Sequence, residues 1–358
     1  MALLALVLLA GSSQGDDRQG GLLAFGSCLR QWQPQPVWRA VSALEPDAVI
    51  LMGDNVYTDR GDYARQQEPA RIAQAYRDLA QTTEWRAFVH DSALHDRQIL
   101  ATWDDHDYGV NDGGGDYPHK LAAKRAFLSF FQLEGTATGN ADQPGVYRSE
   151  RLSIDGLNIQ VLLLDTRSFR SPLKKATVDT TCPHTRIVAN TDREATLLGP
   201  GQWRWLEDEL QKPADLRLIV SSIQVLPTQH CYEKWANFPR ERQRLFDLIK
   251  DTGATGVVLL SGDRHLGEIS VLTSDAIGYP LYEVTASGLN SAMGPVDSPE
   301  PNALRASGTT VRVNHFGTLA IGGSDATLIR LQIRSEQGKL LEEISIPLAT
   351  LTPSSAVH

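Results

Sequence analysis

One repeated pattern constrains the fold of this chain more than any other feature: short apolar runs end directly at side chains that can bind metals. These side chains are Cys28 after LLAFGS, Asp54 after VILMG, Asp104 to Asp107 after ILATW, Asp165 after VLLL, and Asp263 with His265 after VVLLSG. Open α/β sheets place their functional sites beyond the carboxyl ends of the strands. The pattern therefore predicts an α/β fold in which five separate segments converge on one crevice.

Further apolar runs and stretches of helical periodicity complete this prediction. We predict strands at LLAFGSC, DAVILMGD, QILATWDD, NIQVLLLDTR, LRLIVSSIQ, GVVLLSGD, PLYEVTAS and TLIRLQI, and helices at Pro36 to Leu44, Pro69 to Ala80, His119 to Phe131, Gln202 to Leu210 and Arg240 to Lys250. No repeat, low-complexity linker or break in composition divides the chain. We therefore expect a single domain over residues 16–358, with a long loop at Pro295 to Val313.

The first fifteen residues are typical of a secretory signal peptide. They read MALLALVLLAGSSQG, a short apolar run followed by small and polar residues, with Ser13 and Gly15 suited to a cleavage site. The run is too short to span a bilayer, and no other segment is long and apolar enough to do so. Because the usual basic residues are missing, a buried N-terminal strand is the alternative. Export would place the protein in the periplasm or outside the cell, where its three cysteines can form at most one intramolecular bridge.

The stretch ATWDDHDYGVND sets four carboxylates and one imidazole within nine residues. Neighbouring carboxylates repel each other, and the pKa of each is raised unless a cation compensates. Solvated turns are also rich in Asp, so turn chemistry is the alternative explanation. The formal net charge is −9, with 43 acidic and 34 basic residues, which argues against broad binding to a nucleic-acid backbone. Some of the carboxylates are candidates for metal ligands, which would change the charge of the loaded site.

Five motifs carry a resemblance to a known family. They are GSC at Gly26 to Cys28, Asp54 with Tyr57 in GDNVYTD, WDDH at Trp103 to His106, DTR at Asp165 to Arg167, and SGDRH at Ser261 to His265. Together they resemble the metallophosphoesterase superfamily, and most closely its PhoD-type alkaline phosphatase branch. The resemblance extends from about Phe25 to Gly288 and includes LGPGQWRWLEDEL and EKWANFPRER. It implies a sandwich of two central mixed sheets flanked by helices, with metals at the strand ends.

The resemblance also implies a set of metal ligands. The ligands expected for a trivalent iron are Cys28, Asp54, Tyr57 and His265. Thiolate, carboxylate and phenolate groups offset the charge of this ion. Asp54 would bridge to a second metal held by Asp105 and Asp263, with Asn111 as an alternative oxygen ligand. Oxygen ligation favours a hard divalent ion, with Ca²⁺ the family expectation. Zinc, calcium or magnesium could take the place of iron in the first cage.

Two further residues are expected to act on the substrate. His106 matches a superfamily histidine near the leaving group and would donate a proton or a hydrogen bond there. Arg167 would clamp the phosphate with its planar guanidinium, but an arginine that ends a buried strand is as often part of a structural ion pair. Asp104 and Asp107 would orient these groups, with helix capping or turn chemistry the alternative for Asp107.

One departure from the superfamily affects the second metal. A metal-binding histidine is expected after a strand in the middle of the chain, where this sequence has LRLIVSSIQVLP. Ser222 and Gln224 cannot replace imidazole as strong ligands, so the second site is expected to be weaker and rich in oxygen. His230 is a substitute that no motif supports. His90, His95, His119 and His184 likewise carry no motif.

The resemblance implies an exported hydrolase of phosphate monoesters, diesters or both, with a small phosphate ester as substrate. A water held by the metals would lose its proton near neutral pH and attack phosphorus in line, while His106 assists the departing alkoxide. One alternative is a phospholipase-D-like phosphodiesterase, which needs a deep apolar groove for acyl chains. The other is a catalytically silent protein that binds metal or phosphate esters on the same fold.

The resemblance leaves two cysteines without a metal. Cys182 in TTCPHT and Cys231 in TQHCYEKW lie in loop-like segments away from the ligand motifs. We predict that they form a disulfide bridge while Cys28 remains a metal-bound thiolate. Closing a loop of about fifty residues would stabilise the fold by roughly 4 kcal/mol.

Overall fold

The computed structural model describes residues 20–90, 98–134, 143–176, 182, 186–273, 277–295, 300–322 and 328–353. The expected signal peptide, residues 1–15, lies outside these ranges, as do His95 and His184. Within these ranges, no helix combines the length and the apolar character needed to cross a membrane. The described part of Pro295 to Val313 contains no helix or strand, only turns, bends and isolated β-bridges, so it forms the loop that the sequence predicts.

The described strands and helices follow one another in an α/β order. The strands are β1 Leu22–Gly26, β2 Ala48–Met52, β3 Gln98–Thr102, β4 Arg148–Ile154, β5 Leu157–Leu163, β6 Lys174–Lys175, β7 Ile187–Val188, β8 Leu216–Ser221, β9 Val257–Ser261, β10 Gly267–Leu272, β11 Leu281–Ala286, β12 His315–Ile321, β13 Leu328–Ser335 and β14 Leu340–Pro347. The helices are α1 Val37–Ala43, α2 Ala70–Gln81, α3 Thr83–Val89, α4 Asp105–Tyr108, α5 Lys120–Phe130, α6 Gly199–Leu210 and α7 Pro239–Asp251. All eight predicted strands and all five predicted helices are confirmed.

Twelve of the strands form two six-stranded mixed sheets. The first has the order β14-β13-β12-β1-β2-β3 and the second has the order β10-β11-β9-β8-β5-β4, while β6 and β7 form a separate ribbon. Strands β1, β2 and β3 are parallel to one another. Strands β5, β8, β9 and β11 are likewise parallel. The carboxyl ends of several neighbouring strands therefore lie side by side at one end of each sheet.

The two sheets pack against each other, and helices cover their outer faces. Along β2, Ile50 and Met52 belong to the core between the sheets, together with apolar residues of β8 and β9. The alternating residues Val49 and Leu51 belong to a second core that includes α1, α2 and α5. This alternation is the period of two that a strand buried on both faces requires. The predicted sandwich of two mixed sheets flanked by helices is confirmed.

Register fixes where the predicted site residues meet. Phe25 pairs with Ile50, and Ile50 pairs with Leu100, so β1, β2 and β3 end at nearly the same level. In the second sheet Leu162 pairs with Ile219, which pairs with Leu259. The segments that follow these strands carry the five motifs, and the fold brings them to one end of the sandwich.

Candidate active site

The loops that follow the strands hold several site residues in an unusual backbone conformation. Cys28, Asp54, Asp263 and His265 have φ values of 65°, 51°, 67° and 54°. Non-glycine residues rarely adopt such values, and strain of this kind persists only where the surroundings enforce it. The surroundings here include main-chain hydrogen bonds between the loops, such as Leu29 N–H to the Asp54 carbonyl at 2.8 Å. These tight turns direct the side chains of four predicted metal ligands into the same small volume.

The four side chains predicted for the first metal lie in contact. The Oδ2 atom of Asp54 lies 3.4 Å from Cys28 Sγ and 3.1 Å from the Tyr57 hydroxyl. The Tyr57 hydroxyl lies 3.3 Å from His265 Nε2. Ligand atoms of Cys28, Asp54 and His265 all lie within 4.8 Å of one another. The structure thus brings together one thiol, one carboxyl, one phenol and one imidazole.

Hydrogen bonds orient His265 for ligation. Its Nδ1 lies 2.5 Å from the carbonyl oxygen of Ser291, which can only accept a hydrogen bond, so Nδ1 carries the proton. The Nε2 lone pair then faces Tyr57 and the rest of the group. Burial lowers the pKa of His265 to about 4, which keeps the imidazole neutral. Neutral histidine with its second nitrogen bound to a carbonyl is the form that ligates metals.

A second group of carboxylates overlaps the first. Ligand atoms of Asp54, Asp105 and His106 lie within 4.8 Å of one another, as do those of Asp104, Asp105 and Asp263. Asp54 therefore belongs to both the thiol-containing group and the carboxylate group, as a bridging ligand would. Within the described structure, Asp105 Oδ1 and Asp104 Oδ2 are buried without a hydrogen-bond partner. Buried carboxylate oxygens without partners are costly, and a cation would satisfy them.

The electrostatics of the cluster also favour a cation. Burial and neighbouring negative charges raise the pKa of Asp54 well above its ordinary value, and burial with Asp104 does the same to Asp263. Burial raises the pKa of Asp104 to about 7 despite the opposing charge of Arg167. Burial also raises the pKa of the Cys28 thiol to about 11. Raised pKa values favour the protonated forms of these groups, so metal binding would displace protons from the cluster.

Asp105 and Asn111, the alternative ligands for the second metal, occupy different places. Asp105 is buried in the carboxylate group, and its Oδ2 accepts a hydrogen bond of 2.6 Å from the Asp112 amide. Asn111 is exposed at the rim of the site, where its side-chain oxygen accepts a hydrogen bond from Arg60. The geometry therefore groups Asp105, and not Asn111, with the other ligands.

His106 is held by a carboxylate that the sequence analysis did not single out. Its Nδ1 lies 2.5 Å from Asp59 Oδ1, and its ring packs on the Tyr57 ring with 4.3 Å between centroids. The other ring nitrogen, Nε2, lies 3.9 Å from Asp105 Oδ1. Burial lowers the pKa of His106, but Asp105 and Asp59 outweigh burial and raise it above the usual value. Asp59 ends the segment GDNVYTD, and nothing in its local sequence marks it as the partner of His106.

Arg167 forms buried ion pairs, which is the second of the two roles that the sequence suggests for it. Its side chain is fully buried, with Nε 2.6 Å from Asp104 Oδ1 and a terminal nitrogen 2.7 Å from Glu233 Oε2. Arg170 forms an ion pair with the other carboxylate oxygen of Glu233, with its Nε 2.9 Å from Oε1. Arg167 does not line the open cavity above the ligands. Its geometry favours the structural role over that of a phosphate clamp.

Asp107 caps the short helix α4, as one of its two predicted roles required. Its Oδ2 accepts a hydrogen bond of 2.9 Å from the Asp104 amide, which forms a capping box with Asp104. Its Oδ1 accepts hydrogen bonds from the Asn55 amide and the Tyr76 hydroxyl, both at 2.9 Å. Asp107 thus fixes the turn that presents Asp105 and His106.

Ser222 lies in the segment where the superfamily has a metal-binding histidine. Here the Ser222 hydroxyl donates a 2.5 Å hydrogen bond to Asp104.

His230 does not replace the missing superfamily histidine. It is buried, its Nδ1 accepts a hydrogen bond of 3.3 Å from the Tyr232 amide, and it belongs to none of the possible metal-ligand groups among the described residues. His119 Nε2 lies 3.5 Å from Glu68 Oε2, and neither residue lines the cavity.

A cavity of about 540 Å³ opens above the two ligand groups. The lining residues are Arg30, Tyr57, Arg60, Asp105, His106, Asn111, Asp112, Lys175, Ile187, Tyr232, Glu233, Asp263, Arg264, His265, Ser291, Ala292 and Met293. Only three of these seventeen are aliphatic or thioether side chains, so the cavity is polar. Its volume lies within the range of small-molecule sites in proteins.

The disulfide prediction is confirmed. Cys182 and Cys231 are bonded, with 5.9 Å between their Cα atoms, and Cys28 is free and buried. The carbonyl of Cys231 also accepts a hydrogen bond of 2.9 Å from the Ile187 amide. Because Ile187, Tyr232 and Glu233 all line the cavity, the bridge lies beside the wall that faces the ligand groups.

Fold and site together define a class of protein. Two mixed sheets flanked by helices, with two overlapping groups of candidate metal ligands at the strand ends, are the architecture of the metallophosphoesterases. Residues 23–336 match the family of PhoD-like phosphatases, and the chain belongs to this family. The match includes all five motifs, so the resemblance inferred from them is confirmed.

One protein sequence and one solved structure are similar to most of this chain. Alkaline phosphatase D of Bacillus subtilis (strain 168) is 25% identical to this chain over 270 residues, which cover 69% of this chain and 43% of that protein. The chain thus spans less than half the length of this relative. A solved structure of PhoD is similar with a TM-score of 0.69 at 18% identity, covering 95% of this chain and 72% of that chain.

Two more distant structures share the fold. Purple acid phosphatase PPD1 from yellow lupin (Lupinus luteus) seeds gives a TM-score of 0.57 at 10% identity, covering 92% of this chain and 54% of that one. GAP50, the anchor in the inner membrane complex of Plasmodium, gives 0.54 at 12% identity, covering 92% of this chain and 89% of that one. At such identities the likeness shows the fold alone, and the activity has to be argued from the site.

Proposed function

We propose that the protein is an exported, metal-dependent hydrolase of phosphate monoesters, diesters or both. The observation that carries this proposal is the position of Asp54, which is grouped both with Cys28 and His265 and with Asp105 and His106; His265, Asp105 and His106 line one polar cavity. Two adjoining cation sites that share a carboxylate suit the in-line displacement of a phosphate ester.

The residues present fit two different cations. Cys28, Tyr57, His265 and Asp54 would hold a trivalent iron, because three anionic ligands offset its charge. Asp105 and Asp263, with Asp54, offer only oxygen atoms and suit Ca²⁺ or another hard divalent ion. When bound, the cations would supply Lewis acidity toward the phosphoryl oxygens and a nucleophilic water at neutral pH.

His106 is the proton donor to the leaving group in this proposal. It lines the cavity beside both ligand groups, and Asp59 holds its Nδ1 proton, so that Nε2 is the nitrogen available for the substrate. Against the effect of burial, Asp105 and then Asp59 raise the pKa of His106 and favour its protonated form. A positioned acid of this kind typically contributes a factor of about 10² to 10⁴ to turnover.

The cavity supports a small ester and not a lipid. A phospholipase-D-like activity needs a deep apolar groove, whereas the cavity offers only Ile187, Ala292 and Met293 as aliphatic or thioether surface. The alternative of a catalytically silent binding protein requires a missing ligand or a missing acid. His106 and the bridging Asp54 are both present and grouped, which favours catalysis.

The disulfide supports export. Structural disulfides persist in oxidising compartments and are rare in a reducing cytosol. We therefore propose that residues 1–15 are a signal peptide and that residues 16–358 form a single domain in the periplasm or outside the cell. The mass of the mature protein recovered from those fractions tests this proposal: an uncleaved N-terminus in the cytosol would contradict it.

The activity is tested on purified protein by metal analysis combined with a panel of esters. Nitrophenyl phosphate, bis-nitrophenyl phosphate and a phosphatidylcholine vesicle represent the monoester, diester and lipid classes. We expect hydrolysis of the first, the second or both, with loss of activity and of both metals in Asp54→Asn. Asp208→Asn, an exposed change on α6, is the matched control. Full activity in metal-free protein, or an unchanged metal content in Asp54→Asn, would overturn the proposal.

A further inference from the structure

Four cationic side chains line the cavity, and three of them already have partners. Arg264 bonds to Glu300 at 2.6 Å, with its guanidinium 3.9 Å above the Tyr232 ring. The other two are Arg60, which donates to Asn111, and Lys175, whose Nζ lies 4.0 Å from Asp112 Oδ2. A cationic side chain that is already paired with an acceptor is less available to bind a substrate.

Arg30 is different. Among the residues that the structure describes, its side chain forms no hydrogen bond and no ion pair, and its guanidinium lies over the Tyr57 ring, 5.6 Å from the ring centroid. Tyr57 in turn reaches the floor of the cavity, where its hydroxyl contacts Asp54 and His265. The free guanidinium therefore lies beside the thiol-containing ligand group.

The main chain at Arg30 is fixed. Asn290 accepts a hydrogen bond of 2.8 Å from the Arg30 amide and donates one of 3.0 Å to the Arg30 carbonyl. Two residues earlier, the Cys28 carbonyl accepts a 2.7 Å hydrogen bond from the Ser291 hydroxyl. Hydrogen bonds thus hold the main chain in place at Cys28, a member of the ligand group, and at Arg30 itself.

We infer that Arg30 binds the phosphoryl group of the substrate, through terminal oxygens of the phosphate ester. The planar guanidinium matches two phosphate oxygens, and its fixed backbone reduces the entropy lost on binding. Arg30 would thus hold the phosphate in place of Arg167, because the Arg167 guanidinium is already hydrogen-bonded to Asp104 and Glu233. This inference rests on the proposed phosphoesterase function.

The test compares Arg30→Ala and Arg30→Lys with Arg39→Ala, an exposed arginine on α1 that serves as the matched control. For each protein, metal content is measured, then kcat and KM for nitrophenyl phosphate, and then the affinity for inorganic phosphate by calorimetry. We expect Arg30→Ala to weaken phosphate binding and kcat/KM by about 10- to 100-fold, the usual effect of losing a hydrogen bond to a charged group. Arg30→Lys should recover part of the loss, because the charge remains without the planar fork.

Calorimetry separates this inference from the proposed function. If the wild-type protein hydrolyses no ester, the proposed function fails, yet phosphate affinity still decides the role of Arg30. An Arg30→Ala protein that binds phosphate as tightly as wild type, compared at equal metal occupancy, overturns the inference. An equal loss in Arg39→Ala would also overturn it, because the effect would then reflect general surface charge.

Discussion

Replacing Asp59 by asparagine isolates the contribution of the carboxylate behind His106. Both oxygens of Asp59 are in use: Oδ1 bonds to His106 Nδ1 at 2.5 Å, and Oδ2 accepts a hydrogen bond of 2.8 Å from the Asn111 amide. An asparagine has one acceptor and one donor in these positions. Because the Asn111 amide is itself a donor, the new carbonyl would turn toward it and the new NH₂ would face His106.

This exchange removes one of the two negative charges that favour the imidazolium form, and Asp105 keeps the other. The lost interaction is a short hydrogen bond between two nearly buried charged groups, the kind that contributes about 1.5–3 kcal/mol. If His106 protonates the leaving group, that loss appears in the transition state and lowers kcat by roughly 10- to 100-fold. The metals should stay bound, since Asp59 belongs to none of the ligand groups among the described residues.

The pH dependence gives the sign of the effect. Burial lowers the pKa of His106, while Asp105 and Asp59 raise it above the usual value. A general acid is active below its pKa, so removing the Asp59 charge should move the alkaline limb of kcat to lower pH. Steady-state kinetics from acid to alkaline pH would measure this shift, with Asp62→Asn, an exposed carboxylate nearby, as the control.

Substrate choice sharpens the assay. Esters of poor leaving groups depend most on proton donation, so Asp59→Asn should slow alkyl phosphates more than nitrophenyl phosphate. Wild-type kcat and an unmoved alkaline limb in Asp59→Asn would refute the reasoning. So would a loss of metal in proportion to activity, because Asp59 would then support the ligands and not the acid.

Three further results are expected. His106→Ala should lower kcat by about 10² to 10⁴ while retaining metal, and loss of metal in proportion to activity would make His106 a ligand. The loaded protein should be coloured by phenolate and thiolate donation to ferric iron, so Tyr57→Phe should shift or remove part of the visible band; colourless, iron-free, active protein would contradict this. Cys182→Ser with Cys231→Ser should lower the free energy of unfolding by roughly 4 kcal/mol, measured by denaturant titration of the oxidised and variant proteins; equal stability would show that the bridge adds nothing.

Some strands escaped prediction for identifiable reasons. β12, HFGTLAI, contains Gly317, and glycine weakens a strand pattern. The structure explains this glycine, because a Cβ atom there would meet the Phe25 ring at 2.1 Å. β14 lies at the edge of the first sheet and is mostly exposed along its length, so its sequence LLEEISIP lacks the apolar run of a central strand. The reason for the glycine in β12 thus lies in a neighbour distant along the chain, and the reason for β14 lies in its exposed position at the sheet edge.

Local sequence is sufficient to identify the strands and helices at the centre of the fold, and the side chains that lie at the ends of those strands. Buried parallel strands are continuous apolar runs, and the candidate ligands directly follow those runs, so short stretches of sequence contain this information. Cys28, Asp54 and His265 can be grouped from their motifs alone. The pairing of Cys182 with Cys231 can be predicted in the same way, once Cys28 is assigned to the metal.

The partner that each polar side chain takes depends instead on the tertiary structure. Arg167 is bound by Asp104 and Glu233, 63 and 66 residues away, while Asp59 reaches His106 across 47 residues. Arg30 has no such partner among the described residues, whereas Glu300, Asn111 and Asp112 pair with the other three cavity cations. Hydrogen bonds and ion pairs depend on distances of a few ångströms, and the packing of the two sheets sets those distances. No local pattern in the sequence contains them.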